Sequence, residues 1–162
     1  MKSNFVDLIE RLIKADVDFV IIGGFAGVVH GCTYVTQDID ICCDFSVDNL
    51  FRLQKAISAF HPVHRMTPNR QKFQLTEENC TTFKNLYLDT DIGQLDCISF
   101  VDGIGDYQKV KQASALIEVE DMQLCVLSLK ALIEAKKVMD RPRDKEAIIQ
   151  LEAIKKLKQQ KT

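Results

Sequence analysis

Two aspartates separated by one isoleucine, Asp38-Ile39-Asp40, are the residues of this sequence best suited to chemistry. In an extended chain, residues two apart point to the same face, about 7 Å apart along the backbone. Ile39 and Ile41 then point to the opposite, apolar face, which leaves both carboxylates on the functional or solvent side. Two such charges repel by up to ~4 kcal/mol at about 4 Å and an effective dielectric of about 20. Either the side chains splay into water or a divalent cation sits between them, as in oxygen-ligated Mg2+ sites. A third acid, Asp96, lies in the apolar run Gln94-Leu95-Asp96-Cys97-Ile98, where an aspartate is costly unless exposed or paired. If its strand lies beside the Asp-x-Asp strand, three carboxylates can hold two metal ions ~3.5–4 Å apart, an arrangement suited to in-line phosphoryl displacement. Otherwise Asp96 is a surface acid at a sheet edge.

The run Phe19-Val20-Ile21-Ile22 is closed by Gly23-Gly24, and the acids begin 14 residues after Gly24. Glycines at a strand-to-helix turn let a phosphate approach the backbone, and the free amides of the helix start bind it. A tight turn is the plainer explanation of Gly-Gly alone; the acids downstream favour the phosphate reading. Other candidates are weaker. His61-x-x-His64 with one distant cysteine is a poor zinc set beside ordinary loop histidines. The acid-free stretch from His61 to Gln74 carries Arg65, Arg70 and Lys72, which suits either an acceptor's phosphates or a solvated loop. Asp102-Gly103-Ile104-Gly105-Asp106 lacks the Gly-Lys-Ser/Thr of a phosphate loop and reads as a turn. No Ser-His-Asp or Cys-His pairing is supported.

The elements that must position these residues fit one domain. The chain has 162 residues, 46% hydrophobic and 27% charged, which allows one full globular core and excludes disorder as the main state. No apolar run approaches the ~18 residues of a spanning helix, and residues 1–14 form an amphipathic pattern rather than a signal peptide, so a cytoplasmic protein with no membrane partner is expected. The six cysteines are expected to be reduced, small core residues. Net charge is −2, against a strongly electrostatic nucleic-acid binder, yet residues 1–127 sum to −7 and residues 128–162 to +5. The basic end either supplies counter-charge to an anionic ligand or is a solvated helix whose lysines complement its dipole.

Phe5, Leu8, Ile9, Leu12 and Ile13 share a helical face, with Asn4 and Asp7 placed as a capping pair. A strand over 19–22, a short helix from Phe25 to His30 ended by Gly31, and a strand from Thr33 to Cys43 follow. Ser46 caps a helix carrying Leu50, Leu53, Ile57 and Phe60, ended by His61-Pro62. Strands from Phe83 to Asp89 and Gln94 to Val101 form a hairpin, and a weaker pair spans Ala115 to Glu120 and Gln123 to Val126. Helices from Ser128 to Met139 and Arg143 to Lys158 close the chain, broken at Pro142.

Gly23-Gly24-Phe25-Ala26, His30-Gly31, Thr36-Gln37-Asp38-Ile39-Asp40, Leu95-Asp96 and the segment from Leu129 to Asp144, in that order, resemble polymerase-beta-type nucleotidyltransferases. More narrowly they are similar to small bacterial members of the abortive-infection toxin type and to the minimal nucleotidyltransferases of toxin–antitoxin pairs. The resemblance covers roughly residues 17–45 and 86–150. It implies an α/β (α+β) fold, a small mixed twisted sheet with flanking helices, in which residues 1–127 form the nucleotidyltransferase core and residues 128–162 a C-terminal helical pair packed on the same domain. It further implies transfer of a nucleoside monophosphate from a nucleoside triphosphate to a hydroxyl of an RNA or protein acceptor, with two Mg2+ or Mn2+ ions. Asp38 and Asp40 would ligate both metals, and Asp96 would bind the second and assist loss of the acceptor's proton. Gly23 and Gly24 would cradle the triphosphate, with Thr36 of the same motif, Lys136 and Arg141 also on the nucleotide. For Lys136, Arg141 and Asp144 a plain helix junction is the alternative. The chain has Gly24 where many relatives carry serine and Tyr34 where many carry arginine. These departures favour, as the alternative, a nucleotide-binding or regulatory module without turnover. A metal-dependent nuclease fits the three aspartates less well, given the Gly-Gly turn. A homodimer or cognate partner protein is expected to complete an open pocket.

Overall fold

The computed structural model describes residues 4–34 and 36–160, without the side chain of Asn4. The expected Asn4 cap therefore lies outside the described residues. Helix α1 (Asn4–Lys14) buries Leu8, Ile9 and Leu12 on the predicted face. Strand β1 (Phe19–Ile22) is buried along its whole length, as its uninterrupted apolar run requires. It passes straight into α2 (Gly23–His30), which takes in both glycines and ends at Gly31 in the left-handed conformation.

Strand β2 is Asp38–Cys43, five residues shorter at its start than the sequence suggests. Tyr34 leaves the expected strand because its ring packs against α2, its hydroxyl filling the space that a side chain on Gly27 would need. Helix α3 (Val47–Ile57) is capped by Ser46, whose Oγ accepts from the Asn49 N–H, and continues as a short 3-10 turn to Phe60. Asn49, fully buried, accepts from the Asp18 N–H at 2.7 Å and donates to the Asp18 and Asp44 carbonyls, binding α3 to the end of the β1–β2 pair where β1 begins and β2 finishes.

The strands β3 (Val63–His64), β4 (Asn85–Thr90) and β5 (Gly93–Ile98) follow. A small separate hairpin, β6 (Phe100–Val101) with β7 (Gly105–Asp106), replaces the expected continuation of β5 to Val101. Asp106 then caps α4 (Tyr107–Gln112) by accepting from the Lys109 N–H at 3.1 Å, a helix hidden in the sequence by its shortness. Strands β8 (Ser114–Val119) and β9 (Met122–Leu127) meet at Glu120-Asp121, both at positive φ as a two-residue hairpin turn demands. Ser128 caps α5 (Leu129–Met139), and Pro142 occupies the first turn of α6 (Pro142–Gln160), where its missing N–H costs nothing.

Seven strands form one mixed sheet in the order β3-β4-β5-β2-β1-β9-β8. The β2–β5 and β1–β9 pairs are parallel and the others antiparallel. The acid-bearing strands are thus central. Ile39, Ile41, Leu95 and Cys97 are fully buried, which fixes the register of β2 and β5 and turns their aspartates to the other face. Helices α1 and α3 pack together, while α5 and α6 pack on one another and on α2. No described helix is long and apolar enough to cross a membrane.

Candidate active site

Asp40 stands directly opposite Asp96 in the parallel β2–β5 pair, and Asp38 stands opposite Gln94. On the other side, Asp40 pairs with Ile22, the last residue before the glycine corner. The three aspartates therefore share one face of adjacent central strands, beside the N-terminus of α2. Burial pushes the Asp40 carboxyl up to about 6, helped by the charges of Asp96 and Asp38 and opposed by Lys136 and Arg143.

The corner is shaped around this acid. Gly23 has φ +67°, and a Cβ placed on it would fall 2.3 Å from Asp40 Oδ2. Only glycine leaves the backbone this close to the carboxylate. Gly24 lies against Thr36, whose Oγ1 would be 3.2 Å from an added Cβ. The Thr36 hydroxyl donates to the Asp38 carbonyl at 3.0 Å, so it steadies the entry to β2.

Each outer acid has a polar partner. The Gln94 amide, oriented with its nitrogen toward Asp38, donates to Oδ1 at 2.6 Å. Asp96 accepts a two-pronged contact from Arg65, Nη1 to Oδ1 at 2.8 Å and Nη2 to Oδ2 at 3.0 Å. Arg65 also lies 4.0 Å from Asp89, which Arg70 holds at 2.6 Å. In the sequence Arg65 reads only as one cation of an acid-free stretch. The strand that carries it to Asp96, β3, is two residues long and leaves no periodic signal.

Lys136 and Arg141 converge on Asp144 rather than pointing separately outward. Asp144, 1% exposed, accepts from Arg141 Nε at 2.6 Å, Arg141 Nη2 at 3.1 Å and the Arg141 N–H at 3.1 Å, with Lys136 Nζ at 3.7 Å. Burial lowers the Lys136 pKa while Asp144 raises it. The cations whose field reaches Asp40 are Lys136 and the exposed Arg143, the latter unmarked as a site residue in the sequence reading. Tyr34 is turned to α2 and Cys32.

His61 and His64 part company. His61 pairs with Asp91, while His64 stacks on Phe83 and meets Phe73 edge-on. Among the described residues no three acid, imidazole or thiol side chains lie close enough to form a ready-made ion cage. A surface groove of about 810 Å3 between α1 and α3 is lined by none of the three acids.

No protein-family model matches the chain, and no curated protein sequence matches it. Solved structures do. A Thermotoga maritima protein described as a nucleotidyltransferase superposes with a TM-score of 0.53 at 20% identity, over 94% of this chain and 91% of that one. The lincosamide antibiotic adenylyltransferase LnuA, with lincomycin bound, gives 0.64 at 14% identity, over 93% and 96%. ANT(2'')-Ia, in complex with adenylyl-2''-tobramycin, gives 0.53 at 13% identity, over 97% and 95%. The chain has the nucleotidyltransferase fold.

Within that fold the donor set suits a hard divalent cation. The carboxylate oxygens of Asp38 and Asp40 face one side of the sheet, and Asp40 is held above the ordinary carboxylate range by burial first and by the charges of Asp96 and Asp38 second. Gly23, lacking a side chain, lets the start of α2 sit directly against that carboxylate.

Proposed function

We propose that this protein transfers a nucleoside monophosphate from a nucleoside triphosphate to an acceptor hydroxyl, releasing pyrophosphate. The observation that carries this reading is the register that sets Asp40 against Asp96, next to a corner only glycine can turn.

Asp38 and Asp40 are the residues that would hold Mg2+, whose chemistry there is to neutralise triphosphate charge. The first amides of α2, at Gly23 and Gly24, would receive phosphate oxygens. Lys136 and Arg143 add positive potential on the same side. Asp96 faces the acceptor side and takes the proton of the attacking hydroxyl, while the bond from the α-phosphorus to the bridging oxygen breaks and pyrophosphate leaves. The protein's part is to position and to neutralise.

The acceptor is a hydroxyl compound. LnuA and ANT(2'')-Ia support a small hydroxylated molecule, while the toxin-type resemblance would supply an RNA or a protein. The test supplies α-32P-labelled nucleoside triphosphates and Mg2+ with total RNA, cell protein, a lincosamide or an aminoglycoside in separate reactions. Label on one acceptor with matching pyrophosphate, lost in Asp40→Asn, is the expected result. No label on any, together with no melting shift by nucleotide plus Mg2+, refutes the proposal.

A second reading, nucleotide binding without turnover, draws on Gly24. The hydroxyl nearest that corner belongs to Thr36 and is committed to the Asp38 carbonyl. Stabilisation by nucleotide plus Mg2+ without label transfer would favour it.

A further inference from the structure

We propose that Arg65 is a positioning residue that stands in for a second metal ion: by holding Asp96 it leaves the centre with one divalent-cation place, on Asp38 and Asp40. This inference rests on the nucleotidyl-transfer reading above.

Arg65 is fixed from several directions. Its backbone N–H donates to the Tyr87 carbonyl at 2.8 Å, its Nη1 reaches the Leu88 carbonyl at 3.5 Å, and its guanidinium lies 5.8 Å from the centre of the Tyr87 ring. The fork on Asp96 joins side chains only 22% and 16% exposed, so water screens it weakly. A guanidinium stays charged at any working pH and matches a carboxylate edge to edge. An incoming ion at Asp96 would have to displace this fork or sit against a fixed positive charge.

Charge matching agrees with the geometry. Asp38, Asp40 and Asp96 carry three negative charges, and Arg65 cancels one. Lys136 and the exposed Arg143 offset part of the rest, so the local negative charge is at most that matched by one divalent ion. Arg70 and Asp89 form the next pair outward and cancel one another, so they do not alter that balance. Gln94, opposite Asp38, donates an amide and brings no charge.

The experiment counts Mn2+ bound per chain in the presence of a non-hydrolysable nucleoside triphosphate analogue. Free Mn2+ is read by electron paramagnetic resonance, with calorimetry alongside. The expected count is one for the wild-type protein, one for Arg65→Lys, which keeps the charge, and two for Arg65→Gln. A merely structural Arg65 would lower the melting temperature of Arg65→Gln and leave its count at one, which overturns the inference. Two ions on the wild-type protein also overturn it, leaving the nucleotidyl-transfer reading intact. No Mn2+ and no analogue bound by the wild-type protein overturns both. The wild-type count decides without any variant, so a variant that fails to fold does not remove the test.

Discussion

Asp40 and Asp96 face each other across paired positions of two parallel strands, with Asp38 one step along the same face. Burial first, and then the charges of Asp96 and Asp38, disfavour the ionised Asp40 carboxyl. Asp40→Asn removes one of the charges, and in chelator it is expected to raise stability by roughly 1–3 kcal/mol, the scale of a carboxyl moved from 3.8 to about 6. The same variant should lose the stabilisation that Mg2+ with nucleotide gives the wild-type protein. Thermal melts with and without both ligands check the two signs together.

The glycine corner predicts opposite outcomes at adjacent positions. Gly23→Ala puts a side chain at φ +67° and into the Asp40 carboxylate, and is expected to cost about 2 kcal/mol or more and to abolish nucleotide binding. Gly24→Ser brings its Cβ against the side chains of Thr36, 3.2 Å from Oγ1 and 3.4 Å from Cβ, and Tyr34, at 3.7 Å, and places an extra hydroxyl at the corner. Nucleotide affinity should rise several-fold, measured by titration calorimetry.

Asp144 neutralises two cations at the α5–α6 junction while itself almost fully buried. Asp144→Ala leaves Lys136, 8% exposed, without its counter-charge. A loss of about 3 kcal/mol is expected, the usual result of breaking a buried pair from one side, reduced here because Arg141 reaches solvent. Chemical denaturation of the variant against wild type provides the measure.

His30 gives the fold a defined acid sensitivity. Its Nε2 donates to the Leu127 carbonyl at 2.8 Å, and its buried Nδ1 has no partner. Burial therefore holds its pKa below 6.5, despite the opposing carbonyl contact. The unfolded chain takes up the proton first, so stability is full above about pH 6.5 and falls as pH drops toward the folded value. His64, packed between Phe73 and Phe83, shifts in the same direction. Between pH 7.5 and 5.5 the histidine contribution lowers the melting temperature while Asp40, protonated first in the folded state, opposes it, so His30→Gln should lose less melting temperature than the wild type over this range.

The strand over 19–22, the helix carrying Leu50 and Leu53, the hairpin around Thr90–Gly93 and the closing helices were legible because each has a long apolar period or a strong break. The pairing of Asp38 and Asp40 on one face followed from the alternation with Ile39 and Ile41. Other features depend on contacts that no local pattern records. Tyr34 leaves the strand because of a space on α2, and Arg65 reaches Asp96 through a two-residue strand. The convergence of Lys136 and Arg141 on Asp144 brings together residues of α5, α6 and the link between them, where Asp140 turns the chain in the left-handed conformation.

The position of β2 and β5 in the middle of the sheet also sets how long the acid arrangement survives. Edge strands can fray alone, whereas amides in central strands open only with the whole domain. The β2–β5 ladder of residues 38–42 against 94–98 is therefore expected to be among the last hydrogens to exchange with solvent. The spacing of the acids is a property of the global fold, insulated from fluctuations at the loops that surround it.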